Sequence, residues 1–391
     1  MIDFQPHYIE QGQGQALILL HGNGESCDYF EHQISCFSTC YRIIALDTRG
    51  HGKSPRGEKP FTIKQFAEDL KDFMDEKNIE KAILLGFSDG GNIALTFALK
   101  YPERVEKLIL DGANLFPSGV KPLYQWPIEI GYRIAKLFSK KSAEAQKNTE
   151  MLGLMVNEPH IEPSELARLT MPVLVIAGTK DMIKDSHTRL IYNNLQNAQL
   201  AILDGDHFLA NKRPKVFNAM VKSFLSGYMI RHSTMEDLPV ILNLRDQARE
   251  IMRSYGNTFQ WPDGYPREDM FVKDIEQGYS YVMMNDEGTI VGTFALIPGP
   301  DITYKVIYDG QWLDDEPYHV IHRIASTPQS HGILDALLEF SEAIAPNIRI
   351  DTHEANIIMR KGLERHGYQY CGIIHLLNGD ERMAFQKSIT I

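Results

Sequence analysis

The chain is poor in cysteine: Cys27, Cys36, Cys40 and Cys371 are the only four in 391 residues. Cys36 and Cys40 stand close enough to be metal ligands, but no second Cys/His pair at finger spacing joins them. Free thiols and no metal centre are expected, in keeping with a reducing, cytoplasmic setting. Long hydrophobic runs are missing too. No stretch reaches the length of a membrane span. The opening MIDFQPHYIEQGQGQ has neither the basic nor the apolar region of a secretion signal. A cytoplasmic protein with no membrane partner is the expectation. Positive charge is also short, with 40 Lys and Arg against 51 Asp and Glu, a formal net charge of −11. No Lys/Arg-rich block relieves that balance, which argues against nucleic-acid binding through phosphate neutralisation. Low-complexity tracts and internal repeats are absent.

What remains is an ordinary globular composition, 43% hydrophobic and 23% charged, in a chain longer than one core usually organises. Two domains are expected, 1–228 and 229–391. In the first, short apolar runs at 16–20, 43–46, 82–85, 108–110, 173–177 and 200–203 alternate with amphipathic stretches such as 63–77 and 92–100. Runs this short, bounded by turn residues, suit buried parallel strands covered on both faces by helices. The rhythm predicts a doubly wound, mostly parallel α/β sheet.

Three of these strands end in chemistry. The run at 82–85 leads into Gly86-Phe87-Ser88-Asp89-Gly90-Gly91 and then an apolar helix. A nucleophile on so sharp a strand-to-helix turn needs strained backbone angles and close neighbours, which the glycines permit. The helix start adds amides and the positive dipole end beside the reacting oxygen. The second feature, Leu19-Leu20-His21-Gly22-Asn23-Gly24, offers a backbone N–H for an oxyanion, so the hole is assigned to the amides of Asn23 and Asp89. The third supplies an acid and then a histidine: Asp181 after the run at 173–177, and His207 after the run ending at Leu203. His207 would take the Ser88 proton while Asp181 holds the imidazole in the productive tautomer. Two alternatives stay open, Asp181 as a helix cap and Asp111 as the acid. His7, His32, His160 and His187 lack such a setting and read as surface residues.

Asp47-Thr48-Arg49-Gly50-His51-Gly52-Lys53-Ser54 resembles the D-x-R-G-x-G-x-S segment of the α/β-hydrolase family. With the glycine loop, the nucleophile turn, Asp181 and His207, the resemblance covers essentially the whole first half. It implies that family's fold, a Ser88–His207–Asp181 triad and an acyl-enzyme mechanism, with Arg49 and His51 structural. It also implies a short helical lid at about 116–165, including Trp126, Tyr132 and Phe138. A small or medium carboxylic ester is the expected substrate, although the same triad also cleaves C–C bonds of diketones, thioesters and amides.

The second half opens near Tyr228 with a short strand and the helix cap Ser233-Thr234-Met235-Glu236-Asp237. Strands are predicted at 279–284, 290–297, 318–325, 348–351, 370–376 and 382–386, with helices at 333–345 and 355–366 and a turn at 285–288. This is an α+β pattern with a mixed, largely antiparallel sheet. Ile290-Val291-Gly292-Thr293-Phe294, His322-Arg323-Ile324-Ala325-Ser326 and the stretch from Asn356 to Tyr368 resemble the GNAT superfamily of acyl-CoA-dependent N-acetyltransferases. The resemblance implies acetyl-CoA as co-substrate. It places the pyrophosphate loop at Gln329-Ser330-His331-Gly332-Ile333-Leu334, with Gln329 and Gly332 as contacts, and Asn356 on the pantetheine arm. Leu334 replaces the loop's second small residue, Asp335 adds a negative charge beside it, and Leu363 stands where the family often has a tyrosine acid. Tyr255, Trp261, Tyr265 and Tyr304 could line an acceptor pocket or pack in the core.

The expectation is a bifunctional protein: a serine hydrolase joined to an acetyltransferase acting on an amine. The rivals are an active hydrolase with a degenerate second domain, and a non-enzymatic sensor or scaffold.

Overall fold

A computed structural model describes residues 4–285 and 287–388; Asp286, in the expected 285–288 turn, lies outside the described residues. The chain divides into two compact units, Met1–Asn218 and Ala219–Ile391. The first contains strands β1 (Tyr8–Gln11), β2 (Ala16–Leu20), β3 (Arg42–Leu46), β4 (Ala82–Phe87), β5 (Val105–Asp111), β6 (Val173–Gly178) and β7 (Ala198–Leu203). Its helices are α1 (Glu31–Phe37), α2 (Ile63–Glu76), α3 (Asp89–Lys100), α4 (Pro122–Phe138), α5 (Ala143–Asn157), α6 (Asp185–Asn194) and α7 (Leu209–Lys212). The unit boundary falls inside α8 (Pro214–Leu225).

The first sheet runs β1-β3-β2-β4-β5-β6-β7, parallel throughout except for β1, which is antiparallel to β3. All residues of β2 and β4 are buried, as strands covered on both faces must be. Each fully buried Leu or Ile on them contributes about 1.5–3 kcal/mol by leaving water. Helix α2 follows the same logic: Thr62 caps it through Gln65 N, and Ile63, Phe66, Leu70 and Phe73 form its buried face. Because β2 lies between β3 and β4, the strand order reverses direction there, and a crevice opens at the carboxyl ends of these strands. Ser88 and the His21–Gly24 loop both emerge at that crevice.

The second unit holds β8 (Met229–His232), β9 (Ser280–Met284), β10 (Ile290–Pro298), β11 (His319–Ser326), β12 (Asn347–Thr352), β13 (Gln369–His375) and β14 (Glu381–Ser388). Its further helices are α9 (Leu238–Ser254), α10 (Glu268–Glu276), α11 (Ile333–Ile344) and α12 (Ile357–Arg365). Thr234 and Asp237 form the expected capping box, on a single 3-10 turn that leads into α9. The sheet order is β13-β14-β12-β11-β10-β9-β8, and only β11 and β12 pair in parallel. Those two strands share a ladder only from His319 to Ile321 opposite Ile348 to Ile350. Just beyond, Arg323 adopts φ 54° and the β10–β11 register shifts, so β11 leaves its partner and a cleft opens.

Candidate active site

Strand β4 ends at Phe87 and α3 begins at Asp89, leaving Ser88 alone on the turn at φ 53°. That left-handed conformation is costly for a residue with a Cβ, and packing on both sides enforces it. A Cβ on Gly86 would stand 2.2 Å from the Gly90 carbonyl oxygen, and one on Gly90 only 1.9 Å from that of Leu20. The glycines are therefore a steric requirement of the turn.

The structure brings Ser88, His207 and Asp181 together. His207 Nε2 lies 3.0 Å from Ser88 Oγ, and its Nδ1 lies 2.7 Å from Asp181 Oδ1. The Ile183 amide donates to Asp181 Oδ1 at 2.8 Å and the Gly178 amide to Oδ2 at 3.3 Å. Burial raises the Asp181 carboxyl, but the His207 bond and these amides outweigh it and hold it below the usual carboxylate range. An anionic Asp181 fixes the proton on Nδ1 and turns the Nε2 lone pair towards Ser88. The hydroxyl thus has a base in reach, oriented by an acid behind it.

Asp111, the alternative acid, is fully buried beside them, and among the described residues neither of its oxygens has a hydrogen-bond partner. Burial and the Asp181 charge drive its carboxyl well above the ordinary range, which favours the neutral form.

Asn23 Nδ2 donates to Asp89 Oδ2 at 2.9 Å, tying the glycine loop to the first turn of α3. The same nitrogen reaches the Met151 carbonyl of α5 at 2.7 Å. The 116–165 segment is helical, as α4 and α5, and is fastened both to the glycine loop and to the loop that carries Asp181. Lys121 N donates to Met182 O at 2.8 Å and Lys121 Nζ to Asp181 O at 2.5 Å. Arg56 pairs with Glu150 at 2.7 Å.

Sequence reasoning passed over Glu25. Its Oε2 is buried and has no hydrogen-bond partner among the described residues, and burial pushes its carboxyl up to about 7. Its signal was position alone, on the glycine loop. His187 was misread as a surface residue. It is buried, accepts from Leu115 N at 2.9 Å through Nε2, and burial lowers it to about 4.

The D-x-R-G-x-G-x-S segment has structural work. Arg49 is wholly buried and binds both oxygens of Asp69 at 2.7 Å. Asp47 accepts from the amides of Cys27 and Lys53 and faces His7. His7, Cys27 and Asp47 cluster closely, but the Asp47 oxygens are already bonded. Burial, with Asp47 beside it, pushes the Cys27 thiol up to about 12, the wrong direction for a metal-binding thiolate.

In the second unit the cleft between β11 and β12 is a cavity of about 260 Å³, lined among others by Tyr255, Trp261, Tyr265, His322, Asp351 and Arg382. Tyr304 is instead in the core, with its hydroxyl donating to Asp351 Oδ1 at 2.6 Å. His322 Nε2 lies 3.1 Å from Asp301 Oδ2, and its Nδ1 lies 3.9 Å from Asp351 Oδ1. Burial raises Asp301, but the bonds from His322 and Thr303 hold it far below the carboxylate range. His322 stood in a segment quoted only for its resemblance; the histidine–carboxylate pairing emerges only in three dimensions.

Gln329 is exposed, and Gly332 caps α11 at φ 75° with open space where a Cβ would stand. The loop and helix start therefore fit an anionic group approaching the backbone. Leu334 packs against Gly362, and Asp335 is paired with Arg365 and His366. Asn356 is committed at both ends: Oδ1 accepts from Met359 N and Nδ2 donates to Gln260 Oε1. Leu363 is fully buried.

A family model described as the alpha/beta hydrolase fold matches residues 15–150. The serine hydrolase BPHL of Homo sapiens is 27% identical over 246 residues, 56% of this chain and 83% of that protein. The 2-hydroxy-6-oxo-6-phenylhexa-2,4-dienoate hydrolase of Comamonas testosteroni is 37% identical over 150 residues, 36% of this chain and 51% of that protein. A GNAT-family acetyltransferase structure from Streptococcus agalactiae is 34% identical, covering 42% of this chain and 97% of that one, with a TM-score of 0.40. The chain thus carries an N-terminal α/β-hydrolase domain of a hydrolase family, followed by a separate domain with a mixed, largely antiparallel sheet.

Proposed function

We propose that residues 1–228 form a serine hydrolase cleaving a small or medium carboxylic ester, with 116–165 as its helical lid. The supporting observation is the Ser88–His207–Asp181 chain of hydrogen bonds at 3.0 and 2.7 Å on a strained nucleophile turn. In this reading His207 Nε2 takes the Ser88 proton as Oγ attacks the ester carbonyl. The amides of Asn23 and Asp89 receive the oxyanion, and His207 returns the proton to the leaving alcohol. Water then repeats the sequence on the acyl-enzyme. Relatives are named as a 3-oxoadipate enol-lactonase and a 2-hydroxy-6-oxo-6-phenylhexa-2,4-dienoate hydrolase, and an ester is the proposed bond because acyl transfer needs the activated hydroxyl and general base that Ser88 and His207 offer. A fluorophosphonate probe should label Ser88, and Ser88→Ala should lose both the label and p-nitrophenyl ester hydrolysis by about 10⁴-fold or more. Equal hydrolysis by the variant overturns the assignment.

We further propose that residues 229–391 transfer an acetyl group to an amine held in the β11–β12 cavity. Acetyl-CoA, when bound, would supply the activated acetyl thioester, whose C–S bond breaks as the amide forms and whose sulfur departs as the free thiol. The loop from Gln329 to Gly332 and the first amides of α11 would hold its pyrophosphate. With Nε2–H donated to Asp301, His322 Nδ1 is left to accept the amine's proton. Tyr255, Trp261 and Tyr265 offer aromatic faces to the acceptor.

A further inference from the structure

Helix α4 presents an apolar face to solvent. Leu123, Trp126, Ile130, Ile134, Leu137 and Phe138 are each more than half exposed. At α-helical spacing they fall on one stripe about 120° wide and about 22 Å long. Gln125 is buried and Ile128, Tyr132 and Ala135 are partly so, on the opposite side of the helix. Isolated exposed apolar residues are ordinary, but a continuous stripe of six, one of them tryptophan, marks a surface that leaves water in use.

The charges around the stripe identify what it meets. Between Lys121 and Lys141 stand five cations, Lys121, Arg133, Lys136, Lys140 and Lys141, against one carboxylate, Glu129, in a chain of net charge −11. Lys121 is engaged with Asp181 O. Among the described residues no carboxylate ion-pairs with Arg133, Lys136, Lys140 or Lys141, although most other cations of the protein have such a partner. A two-fold contact with a second copy would set this cationic rim against itself. An anionic lipid surface complements it: apolar side chains enter the acyl boundary while the cations meet phosphate headgroups. We propose that α4 is an interfacial helix by which the chain docks on anionic lipid surfaces. A helix lying in the interface is compatible with a sequence that lacks any span, and the proposal does not depend on the catalytic reading.

The test is flotation of the full chain with vesicles of equal parts phosphatidylglycerol and phosphatidylcholine, and with vesicles of phosphatidylcholine alone. The chain should float with the first and not the second, with Trp126 emission shifting to the blue and binding lost in high salt. Reversing the four cations that lack an ion pair among the described residues (R133E, K136E, K140E, K141E together) should weaken binding about 100-fold or more. Ile134→Asp with Leu137→Asp should abolish it, while circular dichroism matches wild type. Absence of flotation with anionic vesicles overturns the proposal, as does a charge-reversed variant that binds like wild type. A dimer seen by light scattering and split by the aspartates, without vesicle binding, overturns it in favour of a second copy; wild-type salt dependence decides the matter if a variant fails to fold.

Discussion

Glu25 shows how burial alone gives a side chain a titration it does not have in water. Its carboxyl is held at about 7 in the folded protein, above the ordinary 4.5. Below the ordinary value both states are protonated and nothing is gained or lost. As pH rises towards 7, the unfolded chain releases its proton first, so stability falls across that window and the full cost is present above it. His51 and His187, each lowered to about 4 by burial, act oppositely: their contribution is lost as pH falls below 6.5. Above that pH both are neutral in either state, which isolates the carboxylate. Glu25→Gln should therefore raise the melting temperature by about 2–4 °C at roughly pH 8.5 and leave it unchanged near pH 4. Calorimetry at both pH values measures this; a shift of equal size at each would refute burial of charge as the cause. Ser88, Asp181 and His207 were legible in the sequence because glycine sterics and chain order leave a local trace. Glu25, Asp111 and His322 were not, since a buried or paired charge is created by segments distant in sequence.

Elements were legible to the degree that both their faces are buried. Strands β2, β4 and β6 are buried at every residue and read as unbroken apolar runs because helices cover them. Edge strand β1, Tyr-Ile-Glu-Gln, is half exposed and exposed along its length and carries no such run, so it went unnoticed. Helix α10 was also missed; it buries Phe271, Asp274 and Ile275, too few apolar positions to stand out. The nucleophile turn gives the sharpest test at this scale. A Cβ on Gly90 meets two backbone oxygens, Leu20 O at 1.9 Å and His21 O at 2.6 Å, and backbone cannot swing aside. Gly90→Ala should cost more than about 4 kcal/mol in denaturant unfolding of the first unit. Gly131→Ala in α4 meets only the end of Leu152, at 3.3 Å, and should change stability by less than about 1 kcal/mol. Similar losses for both would show that helix propensity, and not the close approach of β2 to α3, makes glycine necessary at the turn.

At the scale of the whole molecule, each proposed set of reacting groups is drawn from one unit. Ser88, His207 and Asp181 fall within Met1–Asn218, and Asp301, His322 and Asp351 within Ala219–Ile391. No proton path of either proposed reaction borrows a residue from the other unit, so the two chemistries should be separable by single substitutions. Ser88→Ala should abolish ester hydrolysis and leave acetyl transfer to an amine unaltered. His322→Ala should do the reverse, lowering acetyl transfer by about 10²- to 10⁴-fold, the usual worth of a positioned base. That deficit should shrink as pH rises, because deprotonated amine then arrives from solution; a loss independent of pH would assign His322 to structure and not to proton transfer. Binding separates this from a second domain that has lost its co-substrate. Acetyl-CoA at about 100 times its Kd should stabilise the wild-type chain by about 2.7 kcal/mol, and His322→Ala equally, since His322 faces the acceptor cavity and not the Gly332 loop. Calorimetric titration showing no heat and no thermal shift with either protein would remove the transferase and leave the hydrolase standing on Ser88.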